Sequence, residues 1–128
     1  MSKKKALIIT DGTKPIRSIA MLIKGELDGY KVKICPAKRF VVTDLLAAEI
    51  FFVGCKRRKP KSFSCLEETL SHINLASRKC GIYSISDKGL AYLTTAMSDS
   101  EADISAPFLI SEEKIAKAAV SKWVKKLL

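Results

Sequence analysis

Five cations fall within six residues at Lys56-Arg57-Arg58-Lys59-Pro60-Lys61, and four more, Lys14, Arg17, Lys38 and Arg39, stand in or beside two earlier turns. Positive side chains at this density attract anions: phosphate groups, carboxylates or a nucleic-acid backbone. Their distribution is uneven. Residues 1–61 hold 15 Lys/Arg against 5 Asp/Glu, a balance of +10, whereas residues 62–128 hold 8 against 8. The first half of the chain therefore carries the whole net charge. A solvated basic face is the plain alternative to an anion site, but lysines scattered for solubility would not divide the chain in this way.

Other chemistries have less to stand on. Cys35, Cys55, Cys65 and Cys80 form no Cys-x-x-Cys pair, and His72, the single histidine, stands in no motif with a nucleophile. Zinc asks for closely spaced ligands, usually in two pairs, so no metal site is expected. The cysteines are expected as free thiols, buried or partly buried. A Gly-x-x-x-x-Gly-Lys-Ser/Thr phosphate cradle is missing from the sequence. The basic run also lacks the interleaved aromatics on which nucleic-acid bases would stack, which places nucleic-acid binding through residues 56–61 behind other anionic partners.

The elements that must position these side chains are legible in the hydrophobic pattern. At 128 residues and 48% hydrophobic composition, the chain suits one globular domain over residues 1–128. No stretch approaches the ~18 apolar residues of a membrane span. Lys3-Lys4-Lys5 is followed by only Ala6-Leu7-Ile8-Ile9, too short for an export signal, so a cytoplasmic location is expected. Strands are predicted at Ala6–Ile9, Tyr30–Ile34, Ile50–Val53, Gly81–Ile85 and Pro107–Ile110, with the second at an edge and the third central. Helices are predicted from Pro15 to Leu27, from a Thr43 cap through Ala48, over Ser64–Leu75 and over Leu90–Met97 with an acidic loop after it. A last helix is capped by Ser111 and packed by Trp123. Such alternation gives a doubly wound parallel α/β sheet with helices on both faces, in order 2-1-3-4-5. Ligands bind such sheets outside the carboxyl ends of the strands. The loops there, residues 10–15, 35–39, 54–61 and 86–89, carry the clustered cations.

The ordered set of segments resembles the flavodoxin family. The hydrophobic first strand, the loop Thr10-Asp11-Gly12-Thr13-Lys14, the run Leu45 to Gly54 into the central strand, and Ala106-Pro107-Phe108-Leu109-Ile110 carry the likeness. The resemblance implies an FMN phosphate at Thr10, Asp11, Gly12, Thr13, Lys14 and Arg17. It implies a flavin near Gly54, Cys55, Lys56, Ser86, Asp87 and Tyr92. The chain departs from the family's pattern in its first loop, where Lys14 replaces a glycine, Pro15 removes an N–H and Ile16 replaces a hydroxyl. It also lacks a stacking aromatic after Gly54. One lost charge-assisted hydrogen bond and one lost ring contact together cost about 2–4.5 kcal/mol. The leading expectation is thus a non-enzymatic binding module with weak or lost FMN binding. Its partner, an acidic protein or a phosphate-bearing ligand, would meet Lys38, Arg39, Arg57, Arg58, Lys59 and Lys61. An FMN-dependent electron carrier is the first alternative, and a nucleic-acid binder the second.

Overall fold

The computed structural model describes residues 4–57, 61–73, 78–98, 103–104, 107–109 and 117–127. Strand β1 (Lys4–Thr10) is exposed at its two lysines and buried from Ala6 onward. It runs parallel between β2 (Tyr30–Pro36) and β3 (Ile50–Cys55). All six residues of β3 are buried, as its Ile50-Phe51-Phe52-Val53 run requires of a central strand covered on both faces. Strand β4 (Lys79–Ser84) is parallel to β3. The fifth position holds two short pieces, β5 (Asp103–Ile104) beside Lys79 and Cys80, and β6 (Phe108–Leu109) beside Tyr83 and Ser84. The strand order is 2-1-3-4-5 with every pairing parallel, as expected. Beyond the expected closing strand, the stretch read as an acidic loop contributes β5; Ile110 lies outside the described residues.

Helix α1 (Lys14–Glu26) buries Ile16, Ile19, Ala20 and Ile23 on one face, and Pro15 occupies its first turn, where a missing N–H leaves no partner unmet. With α5 (Lys117–Leu127) it covers one side of the sheet over Ala6, Ile8, Phe52 and Tyr83. Trp123 of α5 stacks on Phe108 at 4.7 Å and meets Phe52 and Tyr83 edge-on, so the packing role expected of it holds. Helices α2 (Val42–Ala47), α3 (Ser64–Leu70) and α4 (Asp87–Ser98) cover the other side, over Leu7, Ile9, Phe51, Val53 and Ile82.

Several boundaries move. Helix α2 starts before Thr43 and has Val41 as its N-cap, without a side-chain bond. Helix α3 stops at Leu70, which leaves His72 exposed in the following turn rather than on a helix. Helix α4 starts three residues before Leu90, because Ser86 Oγ accepts the Gly89 N–H at 3.1 Å and caps it. Three thiols are buried as expected, but Cys65 is exposed. The Ser111 cap lies outside the described residues. Among the described residues, no helix is long and apolar enough to cross a membrane.

Candidate functional site

The first loop leaves the buried end of β1 at Thr10 and turns at Gly12, whose φ of 83° lies in the left-handed region that favours glycine. The Gly12 N–H donates to Thr10 Oγ1 at 3.3 Å. At Asp11, one carboxylate oxygen accepts both the Thr13 N–H, at 2.9 Å, and the Thr13 hydroxyl, at 2.6 Å. The other accepts the Lys56 N–H at 2.7 Å, across the site from the loop after β3. Thr13 stands at the N-cap of α1, yet its hydroxyl serves Asp11 rather than the helix. Lys14 and Arg17 project from the first turn of α1 and are exposed. Ile16 faces inward and is fully buried, so a hydroxyl at that position would meet the core, while its carbonyl accepts the Tyr83 hydroxyl at 3.3 Å.

The loops after β3 and β4 are tied to the first. Lys56 is gripped at both backbone groups: its N–H donates to Asp11 and its C=O accepts the Ser86 hydroxyl at 2.7 Å. Ser84, buried at the end of β4, donates to the Cys55 carbonyl at 2.6 Å and accepts the Ser86 N–H at 3.1 Å. Asp11, Lys56 and Ser86 thus form one hydrogen-bonded bridge across three loops. Gly54 belongs to β3, and a Cβ there would come within 2.3–2.7 Å of the Tyr83 ring. The glycine makes room for that ring. Cys55 is buried with its Sγ 3.7 Å from the Gly89 carbonyl, and burial, with the nearby Asp11 charge, pushes its thiol up to about 12.

Between the loops after β3 and β4 opens a shallow cleft of about 370 Å³ lined by Lys56, Arg57, Ile85, Ser86 and Lys88. Asp87 is exposed in the first turn of α4, a favourable place for an acid at the positive end of a helix. Tyr92 does not line this cleft. Its hydroxyl donates to Glu67 at 2.5 Å and its ring tilts against Phe63, so it joins α4 to α3. Ile85 and Lys88, which do line it, were not singled out from sequence; the Ser86-Asp87-Lys88-Gly89 turn was the available signal.

The edge is strongly positive. Lys14, Arg17, Lys38, Arg39, Arg57, Lys61 and Lys88 are exposed, and Lys56 is half-exposed. Among the described residues none of them has an ion pair, and the pairs of Lys33 with Asp44 and of Lys4 with Glu49 lie on other parts of the surface. Arg58 and Lys59 lie outside the described residues. The loops can therefore hold negative charge at their tips, while Asp11 fills the interior of the first.

An open parallel sheet in this order, with its loops gathered at the carboxyl ends, defines a flavodoxin-like α/β fold. Solved structures bear this out. A flavodoxin of Streptococcus pneumoniae TIGR4 superposes with a TM-score of 0.82 at 16% identity, covering 96% of each chain. A short-chain flavodoxin associated with a bacterial microcompartment gives 0.83 at 16% identity, over 98% of this chain and 97% of that one. A Fusobacterium nucleatum flavodoxin bound to flavin mononucleotide gives 0.79 at 12% identity, over 98% and 97%. No protein-family model and no curated protein matches the sequence.

Proposed function

We propose that the chain is a binding module on a flavodoxin-like scaffold, whose basic edge takes an anionic partner and which holds FMN weakly or not at all. The Asp11 carboxylate carries this reading. It consumes the Thr13 N–H, the Thr13 hydroxyl and the Lys56 N–H, donors of the kind a loop at a helix N-terminus would turn to a phosphate. An entering phosphate would have to displace a carboxylate already bonded there or lie against its charge. Each charge-assisted bond given up costs about 1.5–3 kcal/mol. Pro15 offers no N–H, and among the described residues no aromatic ring lines the cleft. The loop-tip cations that have no ion pair among the described residues stay available to a partner that does not enter the loop.

The test is a fluorescence titration of FMN with the purified chain and with an Asp11→Ser, Lys14→Gly, Pro15→Asn variant. The unmodified chain should purify colourless and quench FMN only weakly. The variant should bind at least ten-fold more tightly, about 1.4 kcal/mol. A yellow, FMN-saturated unmodified chain would overturn the reading.

The 370 Å³ cleft favours a second reading, an FMN-dependent electron carrier. The chain's likeness in fold to a flavodoxin solved with flavin mononucleotide points the same way. FMN would then supply one-electron chemistry, with Lys56, Arg57 and Lys88 beside it as positive charges. The same titration separates the two.

A further inference from the structure

The segment between β2 and α2 is fixed to the core at three points and turns outward between them. Ala37 and Leu45 are buried, and Phe40 packs half-buried against the same cluster. Lys38 and Arg39 are exposed, as are Val41 at 48%, Val42 at 38% and Leu46 at 44%. Val42 and Leu46 are four apart on α2 and share a face. The backbone beneath them is held by the Phe40 N–H on the Ala37 carbonyl at 3.4 Å and the Asp44 N–H on the Val41 carbonyl at 3.0 Å. Asp44 also bonds Lys33 of β2 at 2.5 Å. The Ala37–Arg39 turn packs against the Lys61–Phe63 turn, which brings the exposed Lys61 alongside.

Folding gives no reason for this composition. Val41 holds the N-cap of α2 without a side-chain bond, where Ser, Thr, Asp or Asn would satisfy an unpaired amide. On and beside a six-residue helix, Val41, Val42 and Leu46 leave between 38% and 48% of their surface exposed.

We infer that Lys38, Arg39, Val41, Val42, Leu46 and Lys61 form a docking surface for an acidic protein whose contact face has an aliphatic centre. The free positive charge selects an acidic partner. The aliphatic stripe selects protein over nucleic acid, since it offers bases no ring to stack on, whereas protein interfaces join an apolar centre to a charged rim. The inference rests on the binding-module reading and names its partner; its test does not involve FMN.

Fluorescence anisotropy tests it with three labelled probes of equal charge: a Glu/Leu peptide, a Glu/Ser peptide and an oligothymidylate. The Glu/Leu peptide should bind about five-fold or more tightly than the Glu/Ser peptide, an advantage erased by Val42→Ser with Leu46→Ser. Lys38→Ala with Arg39→Ala should weaken both peptides and flatten their salt dependence. Both double variants change exposed side chains, and circular dichroism checks that they fold. Equal binding of the two peptides, or binding of neither at low salt, would overturn the surface. Tightest binding by the oligothymidylate would overturn it in favour of a nucleic-acid partner. Failure here with weak FMN binding intact removes this partner alone, whereas tight FMN binding removes the parent reading.

Discussion

Replacing Asp11 by Ala removes three hydrogen bonds at once and strips two half-buried turns of their common acceptor. A loss of about 1–3 kcal/mol is expected, less than the sum of three charge-assisted bonds because water reaches the loops. Asp11→Asn, which can keep an acceptor toward Thr13 but not the charge, should fall between, and the urea midpoint of each variant measures the effect. The thiols give a second check at this scale. Cys65 should react with Ellman's reagent at once, and Cys35, Cys55 and Cys80 only as the chain opens, since the first alone is exposed and burial raises the other three. The sequence announced the loop cations plainly and placed Asp11 in the first loop. It could not show that the carboxylate is satisfied, because one of its donors is a backbone N–H 45 residues away and leaves no trace in the residue type at position 56.

Between elements, the tightest constraint lies where β3 passes β4. Gly54 stands opposite Tyr83 in the ladder, and the ring fills the space of the missing Cβ. Gly54→Ala should cost about 1–3 kcal/mol through overpacking, and Tyr83→Leu should relieve part of that cost in a double-mutant cycle on thermal stability. If the two substitutions simply add, the ring is not what excludes a side chain there. The apolar run of β3 and the spacing of Ile16, Ile19, Ala20 and Ile23 made the central strand and first helix readable in sequence, because burial alone dictates both. Helix ends were less readable. The start of α4 depends on one hydroxyl, Ser86, and that of α2 on Val41, which no capping preference would choose. At the fifth position the closing strand was read around Phe108–Leu109, but β5 was missed, because two residues inside an acidic stretch carry no periodicity.

For the whole molecule, alkaline pH is the direction of weakness. Burial raises the thiols of Cys35, Cys55 and Cys80 and the phenols of Tyr83 and Tyr92, the last with help from Glu67. Each raised group contributes stability that is complete below its unfolded value, 9.0 for the thiols and 10.0 for the phenols, and is lost above it, where only the unfolded chain ionises. Thermal unfolding should therefore show a level midpoint up to about pH 8 and a decline beyond about pH 9; a midpoint still rising there would contradict the burial described. Strand order was the most legible property at this scale, since alternating strands and helices leave few parallel arrangements open. The backbone grip on Lys56 has a further consequence, one of substitution rather than of binding. Gly54 is confined by a neighbour's ring, but two residues on, the fold asks of position 56 only its amide and its carbonyl. Any residue with an N–H can hang from that mount, so Lys56→Glu should reverse the local charge with little change in melting temperature. The loop is built so that its lettering can be rewritten while its frame stands.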